Sequence, residues 1–128
     1  MKSKKIIVGK TKTALIIDDS DFHYQSIEGL LKPFFFVSTH AKDGQEALHI
    51  ITQHKIPYDV IFLDINMPVM NGFEFLKSYN GSSPIIMIST DIKASEKAVA
   101  QYGAWGWIHK PPIKTELQSI LRSLELIY

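Results

Sequence analysis

The chain is predicted to fold as a doubly wound α/β domain built on a five-stranded parallel sheet, and three observations predict it. From Thr13 onward, short β-rich runs alternate with longer segments of helical periodicity. Four of the five strand candidates are continuous apolar runs, as strands covered on both faces require. Parallel neighbours need right-handed crossovers, which the intervening helices supply. A length of 128 residues suits one domain with its own core.

Residues 1–12 read as a polar extension in which only Ile6 to Val8 are suited to packing, and residues 13–128 as the domain. The strand candidates are ALIID (14–18), FFFVST (34–39), DVIFLD (59–64), PIIMIS (84–89) and WGWIHK (105–110). In the first helix Ile27, Leu30, Leu31 and Phe34 fall at i, i+3, i+4 and i+7, and Pro33 marks its end near Lys32. A second helix follows Asp43-Gly44 with Ala47, Leu48 and Ile51 inward. The third follows Asn71-Gly72 with Phe73, Leu76 and Tyr79, and closes at Asn80-Gly81-Ser82-Ser83-Pro84. A fourth, about 93–102, carries a thin stripe of Ala98, Val99 and Tyr102. The last is marked by Leu117, Ile120, Leu121 and Leu124.

Composition excludes several classes. Hydrophobic residues at 45% and charged residues at 21% fit a soluble globular protein. A net charge of +1 gives no field that favours nucleic acid or an anionic membrane. The absence of cysteine removes disulfides, thiolate nucleophiles and Cys-based metal sites. With no secretion signal and no apolar run approaching the roughly 18 residues that span a bilayer, a cytoplasmic protein is expected. The histidines (His23, His40, His49, His54 and His109) lack ligand spacing and are expected at the surface or packed. Gly9-Lys10-Thr11 is not a P-loop, because Lys4 stands where the earlier glycine is needed.

In an open α/β sheet the functional crevice lies beyond the carboxyl ends of the strands. Asp18 and Asp19 end the first strand, Asp64 the third, Ser89 the fourth and Lys110 the fifth. Each alone has a structural use: Asp18, Asp19 and Ser20 could cap the first helix, and Asp64 could stabilise a turn. Together they form a cluster of carboxylates that is stable when ionised only with cationic compensation. Mg²⁺ suits this role, being a hard ion that takes oxygen ligands and keeps positions for water and phosphate oxygens. A carboxylate at its edge could attack a phosphoryl group, with Lys110 and Ser89 of the right type to hold the phosphoryl oxygens.

These residues carry a family likeness. From Thr13 to its end the chain resembles the receiver domain of bacterial response regulators, with paired acids after the first strand, D-x-x-M-P-x-x-x-G after the third, Ser/Thr after the fourth and K-P after the fifth. The resemblance implies a flavodoxin-like fold with strand order 2-1-3-4-5. It implies that Asp64 is the phosphoacceptor and that Asp18 and Asp19, with the backbone carbonyl of Asn66, hold Mg²⁺. Ser89 is then the switch hydroxyl, Lys110 the phosphoryl-binding cation, and the Lys110-Pro111 bond cis. The family's switch aromatic falls on Trp107, Thr90 stands where a small residue is usual, and Pro112 replaces the usual apolar residue after K-P.

The implied function is a signalling module rather than an enzyme acting on a separate substrate. A histidine kinase or histidine phosphotransfer protein would donate the phosphoryl group. A downstream protein target would read the face made by the fourth helix, fifth strand and fifth helix, through which a homodimer is also expected. Two other classes remain open. A constitutive binding module that has lost switching is kept open by Trp107 and Thr90. A Mg²⁺-dependent phosphohydrolase would use the same aspartyl chemistry, but its general acid is missing because Asn66 stands two places after Asp64. Trp105 and Trp107 share one side of a strand, where they could pack in the core or form a partner surface. The chain reads as a stand-alone receiver or a piece of a longer regulator or hybrid kinase.

Overall fold

A computed structural model of the chain describes residues 10–128. Ile6 to Val8, expected to pack, lie outside the described residues. The elements run β1 (Lys12–Ile17), α1 (Asp21–Leu31), a 3₁₀ turn (Lys32–Phe34), β2 (Phe36–Ala41), α2 (Gly44–Gln53) and β3 (Val60–Asp64). They continue with α3 (Gly72–Ser78), β4 (Ile85–Ser89), α4 (Ile92–Tyr102), β5 (Gly106–His109) and α5 (Lys114–Ser123). All four strand pairings are parallel, in the order β2-β1-β3-β4-β5. This is the flavodoxin-like arrangement, with its switch point between β1 and β3.

The period-2 alternation of each strand sorts its side chains into two apolar layers. Ala14 and Ile16 face one layer with Ile27 and Leu31 of α1 and Leu117 and Leu121 of α5. Leu15 and Ile17 face the other with Ala47 of α2, Phe75 and Leu76 of α3 and Ala98 of α4. Helices therefore cover both faces. All five residues of β3 and all five of β4 are buried, as their unbroken apolar runs require. Helix starts are fixed by side-chain caps: Ser20, Asp43, Asn71 and Asp91 each accept a backbone N–H from the first turn, and Asn71 with Glu74 completes a capping box.

Two expectations are corrected. The second strand begins at Phe36 rather than Phe34, because Pro33 starts a 3₁₀ turn and Phe35 adopts the left-handed conformation at φ 65°. Phe34 packs against the core while Phe35 and Val37 are exposed, as befits the turn and an edge strand. In α3 the fully buried aromatic is Phe75, whereas Phe73 is only half-buried, in ring contact with Tyr102. Trp105 precedes β5 and is 54% exposed, whereas Trp107 is half-buried against the α2-α3-α4 layer.

The loop after β3 stores strain. The Met70 N–H donates to the Pro68 carbonyl at 2.7 Å, closing a three-residue turn on Val69. Val69 has φ 68° and is 74% exposed, so a β-branched residue sits in the left-handed region with no burial to offset it. Asn tolerates this conformation. Val69→Asn is expected to stabilise the fold by about 1 kcal/mol, seen as a thermal midpoint a few degrees higher. A midpoint that stays level or falls contradicts the strain.

Candidate functional site

Parallel pairing brings the carboxyl ends of β1, β3, β4 and β5 to one edge of the sheet. Asp18, immediately after β1, is fully buried and its Oδ1 accepts the Ser20 N–H at 2.9 Å. Asp64 closes β3 and is 3% exposed. Asp19 lies on the exposed rim, and one carboxylate oxygen each from Asp18, Asp19 and Asp64 lie within 4.8 Å of one another. Lys110, immediately after β5, places Nζ 3.2 Å from Asp18 Oδ2 and 3.1 Å from Asp64 Oδ2. The Lys110-Pro111 bond is cis.

Gly72 permits this packing. A Cβ there would come within 2.8 Å of the Asp64 carbonyl oxygen and 2.9 Å of Ile65 Cα, both main-chain atoms. The Gly72 N–H donates to the Ile65 carbonyl at 2.8 Å, so the start of α3 lies directly against the exit of β3. The glycine ending D-x-x-M-P-x-x-x-G is thus required by close approach.

The charges are in tension. Burial raises the pKa of Asp64 and the neighbouring Asp18 carboxylate raises it further, while Lys110 and the Asn66 backbone N–H oppose them. Burial acts to lower the pKa of Lys110, but the attraction of Asp64 and Asp18 outweighs it, so the ammonium is held more firmly than usual. Among the described residues, Lys110 is the ammonium in ion-pair range of this cluster of three acids, and it reaches two of them. Asp18 Oδ2 is buried, and its partner among the described residues is the Lys110 ammonium at 3.2 Å. Three carboxylates converging on one point, with a single ammonium against two of them, make an oxygen donor set that fits a hard divalent cation such as Mg²⁺.

Ser89, ending β4, is 2% exposed, and its Oγ accepts the Asp91 N–H at 2.9 Å. Its O–H remains available to donate. Asn66 is exposed and its backbone N–H serves Asp64. Trp107, opposite Met87 in the register of β4 and β5, belongs to the apolar layer rather than the acid cluster. Thr90 is exposed. Two histidines expected to be unconnected with the site lie beside Asp18: His23 Nδ1 is 3.7 Å from its Oδ1, and His40 Nε2 is 2.7 Å from its backbone oxygen. No ligand spacing marked them, because their approach depends on the β1–β2 register and the pitch of α1.

A family model described as the response regulator receiver domain matches residues 14–122. A protein-glutamate methylesterase/protein-glutamine glutaminase of Geobacillus kaustophilus is 37% identical over 120 residues, covering 87% of this chain and 34% of that protein. The two-component response regulator ARR11 of Arabidopsis thaliana is 34% identical over 110 residues, covering 83% of this chain and 21% of that protein. The chain therefore spans about a third or less of these curated relatives. The solved structure of the chemotaxis response regulator CheY4 of Vibrio cholerae aligns with a TM-score of 0.77 at 33% identity, covering 90% of this chain and 99% of that one. Among the described residues no helix is long and apolar enough to cross a membrane.

Proposed function

The chain belongs to the family of response regulator receiver domains, and from that premise we propose that it accepts a phosphoryl group on Asp64. The observation that carries this reading is the buried acid cluster with Lys110 against both Asp18 and Asp64. Asp18, Asp19 and Asp64, with the Asn66 carbonyl, would hold Mg²⁺. When bound, that ion supplies positive charge that offsets the acids and the transferring phosphoryl oxygens.

The donor is a phosphohistidine on a histidine kinase or phosphotransfer protein. A carboxylate oxygen of Asp64 forms the new bond to phosphorus as the donor P–N bond breaks, and the electron pair goes to the imidazole nitrogen. Lys110 is already in place to pair with the developing charge. Return of the phosphoryl group to water would complete self-dephosphorylation, so the chain acts as a signalling module with no separate small-molecule substrate.

Ser89 is the switch hydroxyl. It turns its free O–H toward the aspartyl-phosphate, biasing β4-α4 between two arrangements, and Trp107 repacks with it. Trp105 and Ile113 leave apolar surface exposed beside β5 and at the start of α5. These residues support the α4-β5-α5 face as the surface for a downstream protein or a second copy of the chain.

The test is titration with Mg²⁺ and then beryllofluoride, a phosphoryl mimic, while following tryptophan fluorescence. A saturable change that needs Mg²⁺ and disappears in Asp64→Ala is expected. Labelling of the chain without any fluorescence change would contradict switching through Trp107.

A further inference from the structure

We propose that His40 is a positioning residue for the acid pocket: its imidazole Nε2–H holds the Asp18 carbonyl and so fixes the peptide from which Asp18 and Asp19 present their carboxylates. The proposal rests on the phosphoacceptor reading of the pocket. Pairing of Ile16 with His40 and of Ile17 with Ala41 carries the end of β2 alongside the exit of β1. His40 Nε2 lies 2.7 Å from the Asp18 backbone oxygen. A carbonyl can only accept, so Nε2 carries the proton. The Asp18 N–H donates in turn to the Ala41 carbonyl at 3.0 Å. Both main-chain polar groups of Asp18 are therefore held by adjacent residues of one strand.

The imidazole is itself held. Its side chain is 16% exposed, and its ring stacks on Tyr24 with centroids 4.3 Å apart and planes 8° from parallel. The Tyr24 hydroxyl faces two acceptors, Glu28 Oε2 at 2.9 Å and the Ser38 carbonyl at 3.3 Å, so it must act as donor. Burial, then the Glu28 bond and charge, push its pKa up to about 12, and the phenol keeps its proton at any ordinary pH. A strut thus runs from α1 through Tyr24 and His40 to the Asp18-Asp19 peptide. That peptide plane sets the direction of Asp19 on the exposed rim, where no surrounding core does so. Groups that orient the ligands of a metal typically matter nearly as much as the ligands.

The experiment compares the native chain with His40→Leu and His40→Gln by amide NMR during Mg²⁺ titration. Leucine keeps bulk but has no donor, whereas the glutamine amide nitrogen reaches close to the position of Nε2. His40→Leu is expected to weaken Mg²⁺ binding roughly tenfold, and His40→Gln to restore most of it. Native-like binding by His40→Leu, or equal loss in both variants, overturns the proposal. Should the leucine variant not fold, the ring nitrogens of native His40 decide: the Nε2-protonated form supports the strut, and the neutral Nδ1-protonated form overturns it. Failure of the native chain to bind Mg²⁺ would overturn the pocket reading itself, a result visible before any substitution is made.

Discussion

Asp64→Asn is expected to unfold at a higher temperature than the native chain in Mg²⁺-free buffer at neutral pH, although it removes the residue at the centre of the site. The Asp64 side chain is 5% exposed, and burial followed by the Asp18 carboxylate raises its pKa despite Lys110. An ionised Asp64 therefore opposes folding at neutral pH. The amide removes that charge and its repulsion with Asp18, while Lys110 keeps its ion pair to Asp18 at 3.2 Å. The gain should be on the order of 1 kcal/mol, a few degrees in a domain of this size.

The pH dependence has a definite sign. With its native-state pKa raised, Asp64 holds its proton longer in the folded chain than in the unfolded one. Native stability is therefore lost as pH rises from the ordinary carboxylate value of 3.8 through the raised folded value. The advantage of Asp64→Asn should narrow as the pH falls toward 3.8. Added Mg²⁺ should stabilise the native chain and leave the variant largely unaffected. A variant that melts below the native chain without Mg²⁺ would contradict the account of the pocket charges.

Lys110→Met should act in the opposite direction and more strongly. The native ammonium lies against two carboxylates that are almost completely buried, and its removal leaves both without their cation. Breaking such a buried arrangement by deleting one partner costs about 3 kcal/mol or more. A midpoint lower by about 10 °C or more is expected, with part recovered by Mg²⁺. Lys110 has a raised native pKa, so its contribution is complete below its ordinary value of 10.5 and is lost as pH rises through the folded value. On the alkaline side the gap between native chain and variant should therefore close only as pH passes the raised folded value, and on the acid side it should narrow as Asp64 takes up its proton. Methionine fills the space but not the charge, so equal stability would mean that Lys110 is not what balances the acids.

The fold and the acid cluster were legible because both follow from local rules. Unbroken apolar runs marked β3 and β4 as central strands, and the polar residue ending each run had to emerge at the same edge of a parallel sheet. Asp18, Asp64, Ser89 and Lys110 were found in that way. The start of β2 is masked in the sequence because three consecutive phenylalanines read as one apolar run, whereas Pro33 turns the chain and Phe35 takes a left-handed conformation. Phe75 does not stand out in the sequence because α3 has only seven residues, too few for a helical period to separate the buried face from its neighbours. His40 carried no sequence signal, since its contact with Asp18 exists only once β2 is set in register against β1. Trp105 and Trp107 differ in exposure although both alternate to one side, because β5 begins only at Gly106.

The most direct test is the intact mass of the chain after incubation with a small acyl phosphate donor, with and without Mg²⁺, alongside Asp64→Asn. The expected result is a single phosphoryl adduct on the native chain that requires Mg²⁺, is labile to hydroxylamine as an acyl phosphate is, and is missing from the variant. An adduct of equal yield on Asp64→Asn, or none on a native chain shown to bind Mg²⁺, would contradict Asp64 as the acceptor.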